Sequence, residues 1–264
     1  MKSFARRALV YGLPPVITFL VLVAAWELAV RFWQLPPYLL PAPSRVLAAM
    51  DSHQVELLRA TALTAAGALC GFALSLVVGT LIAFAFSQSA VVQRSFYPYA
   101  IFLQTVPIVA VAPLIISWCG HGFQSVVVVS LILGLFPIIT NVTAGLTRLD
   151  PNLLDLFELY NASWRDVLTK LRIPSAVPFF VAGAKTSCGL SVIGAIVGEV
   201  FAGVGTEWSG LGHLIMLTSE QLKTDYAIAA VFCSTLLGVT IFGAVSLASA
   251  TVLRRWHGPA GAAT

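Results

Sequence analysis

An uncharged stretch in the middle of the chain, residues 124–147, reads QSVVVVSLILGLFPIITNVTAGLT. An α-helix rises about 1.5 Å per residue, so about 20 apolar residues are enough to cross the hydrocarbon core of a bilayer. Lipid offers no hydrogen-bond partner to a free backbone N–H or C=O group, so a continuous apolar run of this length is typical of a transmembrane helix. This stretch therefore predicts a chain that is embedded in a membrane.

Five further apolar stretches lie on either side, each bounded by charges or turn residues. They cover residues 10–32, 60–86, 96–118, 175–203 and 226–252. The whole chain is 58% hydrophobic and 10% charged, whereas about 25% of the residues in a soluble domain are charged. The short alternating runs of a membrane β-barrel are absent from the sequence. We therefore predict an all-α transmembrane fold with six helices in a single domain, residues 1–264.

Lysine and arginine residues are divided unequally between the two sides of the predicted helices. If the N-terminus is inside, the inner segments carry ten of them: Lys2, Arg6, Arg7, Arg94, Arg148, Arg165, Lys170, Arg172, Arg254 and Arg255. The outer segments carry three: Arg45, Arg59 and Lys223. Because the cytoplasmic loops of membrane proteins are enriched in lysine and arginine, both termini are predicted to be cytoplasmic.

The inner segment between the fourth and fifth stretches, residues 148–174, has the densest charge in the chain. Asp150–Pro151 is typical of the start of a helix, because aspartate caps free N–H groups and proline fits the first turn. Asn161 is typical of a helix end, because asparagine tolerates the left-handed backbone conformation. The segment is therefore predicted to be folded rather than a slack connection.

A second short helix is predicted to begin near Ser163 and to end at Ile173–Pro174. Proline lacks an N–H group and disfavours helical conformation in the residue before it. The next membrane helix is accordingly predicted to start only after Pro178. The inner loop would then be a helix–turn–helix that is separate from the membrane helices on either side.

Two short segments of this loop resemble a known motif. Residues 161–163 read NAS and residues 173–178 read IPSAVP. Together they resemble the "EAA" cytoplasmic loop in the permease subunits of binding-protein-dependent ABC importers, which are bacterial inner-membrane proteins. The subfamily that the chain resembles most imports nitrate, sulfonates, taurine, and thiamine or riboflavin precursors. Gln104–Pro107, Gly183–Lys185 and Gly198–Glu199 lie where similar permeases have related segments.

The resemblance implies that the inner loop forms a coupling helix, which docks in a groove of an ATP-binding subunit. Where the family motif reads Glu-Ala-Ala, this chain has residues 155–157, DLF, and Asn161 takes the place of the usual glycine. Leu156 and Phe157 are bulkier than the two alanines of the motif, which indicates a groove on the partner that is shaped to fit them. The residues expected to carry the docking are Asp155, Leu156, Phe157, Asn161, Ala162, Ser163 and Pro174.

The sequence contains no G-x-x-x-x-G-K-[ST] phosphate loop, so the chain cannot hydrolyse ATP by that route. The resemblance implies a transport subunit that is not an enzyme and has no cofactor of its own, with ATP and Mg bound by two partner ATPase subunits. It also implies a second copy of the chain and a periplasmic or lipid-anchored solute-binding protein. No run rich in lysine and arginine indicates a nucleic-acid partner.

Polar groups within the apolar stretches are candidates for the lining of a translocation pathway. Gln104, Thr105 and Pro107 interrupt the third stretch with polarity and a predicted kink. Lys185 lies deep in the fifth stretch, where a charge usually faces a cavity or the bundle interior; it either lines the pathway or reaches a carbonyl group or the inner interface. Glu199 lies about four turns further along the same helix, so the two cannot bond directly within it.

Small residues recur at four-residue steps on two of the predicted helices. They are Gly67, Gly71, Ser75 and Gly79 on the second, and Gly183, Ser187, Ser191 and Ala195 on the fifth, where Gly194 and Gly198 also form a GxxxG pair. Such faces let helices approach closely in lipid. They either pack within the chain or form a seam between two copies, and packing within the chain is favoured.

Two other classes of protein remain as alternatives. A secondary transporter usually shows inverted repeats and ionisable groups at the bilayer midplane, and the sequence has neither a clear repeat nor a carboxylate cluster. A membrane-embedded enzyme would need converging acid, base, nucleophile or metal-binding groups. The four histidines and four cysteines are scattered, so no metal site is predicted. The sequence does not specify the transported solute.

Overall fold

The structure is a computed structural model, which describes residues 2–203 and 208–256 and, within them, the side chains of residues 13–203 and 208–251. Every element in these ranges is helical, as the sequence predicts. In chain order the α-helices are α1 (Lys2–Phe32), α2 (Pro43–Ser52), α3 (Gln54–Gln88), α4 (Ala90–Thr105), α5 (Ile108–Cys119), α6 (Phe123–Thr147), α7 (Pro151–Leu159), α8 (Trp164–Val167), α9 (Ile173–Ala202), α10 (Leu211–Glu220) and α11 (Thr224–Trp256).

Five of the described helices, α1, α3, α6, α9 and α11, are long and apolar enough to cross a membrane. α4 and α5, with 16 and 12 residues, are each too short to cross alone and qualify only as a pair, with a bend of 100° between them. The break falls at Val106, whose backbone is extended (φ −67°, ψ 124°), and at Pro107. Proline disfavours helical conformation in the residue before it. The predicted kink is therefore present, but it divides the stretch 96–118, predicted as one kinked helix, into two helices.

Contacts at the helix ends show that α4 and α5 together cross the bundle. α3 ends beside the start of α9, where the Arg172 guanidinium donates a hydrogen bond to the Ser87 carbonyl oxygen (3.2 Å). α6 starts beside the end of α9, where the Gly122 N–H donates to the Ala202 carbonyl oxygen (3.0 Å). We name the first of these the inner end of the bundle and the second the outer end. The chain passes from the inner to the outer end between α3 and α6, so α4 and α5 form one broken span.

The central helices α3, α6 and α9 pack closely through small residues. The glycines of α3 have no room for a side chain, since a Cβ atom would clash with α6. The pairs that meet are Gly67 with Val126, Gly71 with Ser130, and Gly79 with Ile138. The same sequence distance separates the members of each pair, so α3 and α6 run parallel and in register. α9 runs in the opposite direction, with Gly194 against Ser130 and Gly198 against Val126. The small-residue faces thus pack within the chain.

Serine hydroxyls bridge the same three helices inside the apolar core. Ser187 of α9 donates a hydrogen bond to the Gly134 carbonyl oxygen of α6 (2.7 Å), and its hydroxyl lies 3.0 Å from that of Ser75 in α3. Ser130 of α6 donates to the Ser191 carbonyl oxygen of α9 (2.8 Å). In lipid, each interhelical hydrogen bond of this kind contributes about 0.6 to 2 kcal/mol. These bonds add to the close packing, so α3, α6 and α9 form the most tightly held part of the fold.

α1 lies at the edge of the bundle and is held near its outer end. Glu27 accepts hydrogen bonds from the Ser44 backbone N–H (3.0 Å) and hydroxyl (2.9 Å) at the start of α2. Glu27 also accepts a hydrogen bond from Arg31 one turn further on (2.7 Å), which is the pairing that i,i+4 spacing favours. The side chains of residues 13–22 are exposed in the protomer. Most of the described surface of α1 is therefore open to lipid or to another chain.

The junction between the inner loop and α9 differs from the prediction. α8 continues without a break through a π-helical turn, Leu168–Arg172, into α9. The Ile173 N–H donates to the Leu168 carbonyl oxygen, five residues back. This wider turn accommodates Pro174, whose ring would clash with the carbonyl four residues back in a regular α-helix. The predicted end of the short helix at Pro174, and the start of a separate membrane helix after Pro178, were therefore wrong.

Candidate coupling element and pathway residues

The helix α7 lies at the inner end with almost its whole surface exposed. Among residues 151–160 only Phe157 is partly covered, and all the others are exposed. The exposed side chains include large apolar ones: Leu156 is 45% exposed, Leu159 80% and Tyr160 79%. A contiguous apolar surface of this kind is typical of an interaction site.

The two short helices of the inner loop each begin at a side-chain cap. Asp150 accepts a hydrogen bond from the Asn152 N–H (2.9 Å) at the start of α7. Ser163 accepts one from the Asp166 N–H (3.2 Å) at the start of α8 and donates its hydroxyl to the Asp166 carboxylate (2.5 Å). Asp166 also forms a salt bridge with Lys170 (2.5 Å). The loop is a folded helix–turn–helix, as the sequence predicts.

The end of α7 depends on the backbone conformation of Asn161, which has φ +49°. The Asn161 N–H donates to the Glu158 carbonyl oxygen (2.9 Å), and the Ala162 N–H donates to the Phe157 carbonyl oxygen (3.0 Å). This pair of bonds is the Schellman motif, which satisfies the last carbonyl groups of a helix. The left-handed conformation predicted for Asn161 is confirmed, and it fixes the angle between α7 and α8.

This geometry predicts that one substitution of Asn161 preserves the turn and another weakens it. Asn161→Gly should preserve the turn, because glycine adopts positive φ freely. Asn161→Val should cost about 1 to 2 kcal/mol of turn stability, because a β-branched side chain is strongly disfavoured at positive φ. If the inner loop docks on an ATP-binding subunit, as the resemblance implies, the valine variant should bind that subunit about tenfold more weakly. Titration of the detergent-solubilised protein with that subunit would measure both variants. Equal affinities for the two variants would contradict this role of the turn.

A concave pocket of about 500 Å³ lies between α7 and α8. It is lined by Leu156, Phe157, Tyr160, Asn161, Ala162, Ser163, Asp166 and Lys170. Five of the seven residues expected to carry docking therefore border one surface. Asp155 lines a separate shallow depression with Glu158 and Leu159. Pro174 belongs to the first turn of α9 and lies outside this pocket.

The three candidates at the break between α4 and α5 all lie on the surface of the protomer. Gln104, Thr105 and Pro107 are exposed, and α4 contains no buried residue. The Thr105 hydroxyl donates to the Phe102 carbonyl oxygen (2.8 Å) within its own helix. A polar amide such as that of Gln104 is costly to leave unpaired in lipid. The break between α4 and α5 is therefore a surface that water or another chain would cover more favourably than lipid.

Lys185 is half-buried near one exposed face of α9. Ala182 and Thr186 on either side are exposed, Gly189 has open space where a Cβ atom would stand, and Ile193 is 52% exposed. Among the described residues Lys185 has no ion-pair partner within 4.0 Å. The structure does not bring it into a hydrogen bond or ion pair with Gln104 or Glu199.

Glu199 lies in the packed interior near the outer end. Its side chain is fully buried and accepts hydrogen bonds from the Thr64 hydroxyl (2.9 Å) and the Gly212 N–H (2.9 Å). Thr64 in turn accepts a hydrogen bond from the Leu211 N–H (2.9 Å). Glu199 therefore joins α9 to α3 and α10 within one protomer.

Two functional candidates, Thr64 and Arg172, were not singled out from the sequence. Thr64 is 135 positions from Glu199, and Arg172 is 85 positions from Ser87. No local pattern marks such long-range partners. The charge of Arg172 and the hydrogen-bonding capacity of both side chains become informative only when the helices are placed. In the described part of the chain, no three histidine, cysteine, aspartate or glutamate side chains gather as a metal site.

Five helices long enough to cross a bilayer, a sixth span formed by α4 and α5, and a folded loop at the inner end are the features of a multi-pass membrane protein. The chain belongs to the family described as "Binding-protein-dependent transport system inner membrane component", whose model matches residues 75–259. It is thus an ABC-importer permease of the bacterial inner membrane.

Two relatives and one solved structure illustrate the similarity. The chain is 33% identical over 235 residues to the formylaminopyrimidine transport permease protein ThiX of Halalkalibacterium halodurans, covering 89% of this chain and 92% of that protein. It is 28% identical over 250 residues to the riboflavin transport system permease protein RibX of Chloroflexus aurantiacus, covering 93% and 90%. A chain of the inward-facing MetNI methionine ABC transporter has the same fold, with a TM-score of 0.63 at 16% identity over 76% of this chain and 96% of that one.

Proposed function

We propose that this permease forms half of a translocation pathway and works with a second copy of itself. Two ATPase subunits, which bind ATP and Mg, dock at the inner end in the cytoplasm, and a periplasmic or lipid-anchored solute-binding protein delivers the solute at the outer end. The orientation is supported by the excess of lysine and arginine in the inner segments. Docking involves Asp155 and the pocket between α7 and α8, with Pro174 at the base of the element.

The observation that carries this proposal is the exposed surface of α7. Its leucine side chains and that of Tyr160, directly after the helix, are exposed in the protomer, and Asp155 and Glu158 are exposed beside them. A helix that lies on a cytoplasmic membrane surface usually carries lysine and arginine, because the lipid headgroups there are anionic. The acidic side chains of α7 therefore favour a protein groove with basic and apolar lining over a lipid surface.

The pathway in this proposal lies between two copies, along the exposed face of α9 and the break between α4 and α5. Lys185 supports it, because an unpaired charge within a span needs water or a counter-charge. Gln104, Thr105 and Pro107 support it by their exposure on the surface of the protomer. Glu199 contributes indirectly, since its hydrogen bonds to Thr64 and Gly212 hold α9 in place.

The solute class that we propose is a heteroaromatic vitamin precursor with a pyrimidine ring. Both relatives described above carry names of transporters for ring-containing solutes, and each similarity extends over about nine-tenths of both chains. Aliphatic sulfonates, taurine and nitrate are the competing class within this subfamily.

The proposal is tested by uptake into proteoliposomes that contain the permease and its ATPase subunits, supplied with the solute-binding protein. We expect uptake of formylaminopyrimidine to require ATP and the binding protein, to resist an ionophore, and to exceed that of an aliphatic sulfonate by about tenfold or more. Preference for the sulfonate would overturn the solute class. Uptake that is indifferent to ATP but abolished by the ionophore would overturn the ATP-driven mechanism in favour of a secondary transporter.

A further inference from the structure

Arg172 lies where the inner loop, α3 and α9 meet. Its guanidinium Nη1 donates a hydrogen bond to the Ser87 carbonyl oxygen (3.2 Å). Ser87 is in the last turn of α3, where carbonyl groups have no partner within the helix and carry partial negative charge. A guanidinium group is well matched to such a position because it combines a positive charge with several N–H donors. The contact therefore ties the inner end of α3 to the base of the inner loop.

On the α9 side of this hydrogen bond, the backbone that carries Arg172 is held rigidly. Arg172 is the last residue of the π-helical turn Leu168–Arg172, in which Leu168 and Leu171 are only 9% and 5% exposed. The turn is thus packed into the bundle and continues directly into α9. A single π-helical turn inside a longer helix is often found at functional sites. A displacement of α7 and α8 would be transmitted to α9 without an intervening flexible linker.

We infer that Arg172 is a positioning residue that makes α3 follow the movement of the inner loop together with α9. The inference rests on the proposed function, in which ATPase subunits displace α7. The Arg172 Nε atom is buried and has no hydrogen-bond partner among the described residues, so one donor is left for a new acceptor when the junction shifts. Without Arg172, the inner end of α3 would follow only through its packing against α6 and α9.

The first test compares transport with ATP hydrolysis in the reconstituted complex. Arg172→Gln should retain the ATPase subunits and hydrolyse ATP, but the solute transported per ATP should fall by about fivefold or more. Arg172→Lys should recover part of the loss, because it keeps the positive charge near Ser87. Arg94→Gln is the matched control: Arg94 is exposed on α4 at the same end of the bundle, and this variant should behave as the wild type.

The second test measures the distance between the two helix ends that Arg172 joins. Spin labels at Gln88 and Thr169, both exposed, report how α3 sits relative to the π-helical turn. In the wild type we expect one narrow distance distribution with and without ATP, and in Arg172→Gln a broader one. Wild-type transport per ATP in Arg172→Gln, or an unchanged distribution, would overturn the inference.

Failure of the proposed function would be recognised separately. If the wild-type chain bound no ATPase subunit, the importer mechanism would be overturned before any variant was made. The spin-label distances can be measured on the permease alone in detergent, so they would still show whether Arg172 holds the end of α3.

Discussion

Replacement of Leu156 by aspartate is expected to release the ATPase subunit from the permease. Leu156 is 45% exposed on α7 and borders the pocket between α7 and α8. A charge at the centre of an apolar docking surface typically costs at least about 2 kcal/mol of binding free energy, which is about 30-fold in affinity. ATP-dependent uptake should fall by a similar factor, while membrane insertion should be unchanged because Leu156 lies outside the membrane-spanning segments. Co-purification and proteoliposome uptake would measure the two effects.

Val55→Asp is a suitable control for this substitution. Val55 is 77% exposed near the start of α3, at the outer end of the bundle, so it introduces the same charge far from α7. We expect the Val55→Asp variant to co-purify with the ATPase subunit as the wild type does. Retention of the ATPase subunit by the Leu156→Asp variant would show that α7 is not the docking surface.

Replacement of Gly194 by valine is expected to destabilise the bundle itself. A Cβ atom at Gly194 would lie 2.7 Å from the Ser130 Cα atom and 3.0 Å from the Val129 carbonyl oxygen. Both are backbone atoms of α6, so no side chain can rotate to make room and the helices must separate. Overpacking of this kind costs about 1 to 3 kcal/mol, which corresponds to a drop of about 2 to 12 °C in Tm for a chain of this size. Thermal unfolding of the purified permease in detergent would measure it.

Gly189→Val provides the matched comparison, because it makes the same substitution in the same helix. A Cβ atom at Gly189 would meet nothing within 4 Å in the protomer. Its intrinsic effect on helix propensity is that of Gly194→Val, so the difference in Tm between the variants isolates the contact with α6. Similar Tm values would show that α6 and α9 are not packed as closely as described.

The features that could be predicted from the sequence are those set by neighbouring residues. The length of an apolar run determines whether a helix can cross a bilayer, and Asp150, Pro151 and Asn161 determine where α7 begins and ends through bonds within a few residues. The glycine steps of α3 could be assigned to close packing because their spacing alone places them on one face. In each case the sequence separation is short enough for local chemistry to decide.

The features that could not be predicted depend on how distant helices meet. Pro174 is compatible with either a helix end or a π-helical turn, and the packing of Leu168 and Leu171 in the bundle favours the turn. Glu199 looked like a pathway candidate because a carboxylate in a span usually faces water, yet Thr64 and Gly212 bond to it inside the protomer. Lys185 likewise has no ion-pair partner among the described residues, which its position in the sequence does not reveal.

The parallel register of α3 and α6 restricts how this permease can change shape. Each glycine of α3 faces one side chain of α6, and these contacts repeat every four residues or multiples of four. Sliding one helix along the other would push the intervening larger residues into α6 until the next matching position, about one helical turn or 5.4 Å away. Small, graded sliding is thereby excluded. Any rearrangement that opens one side of the membrane and closes the other is therefore expected to keep this register, so that α3 and α6 move together.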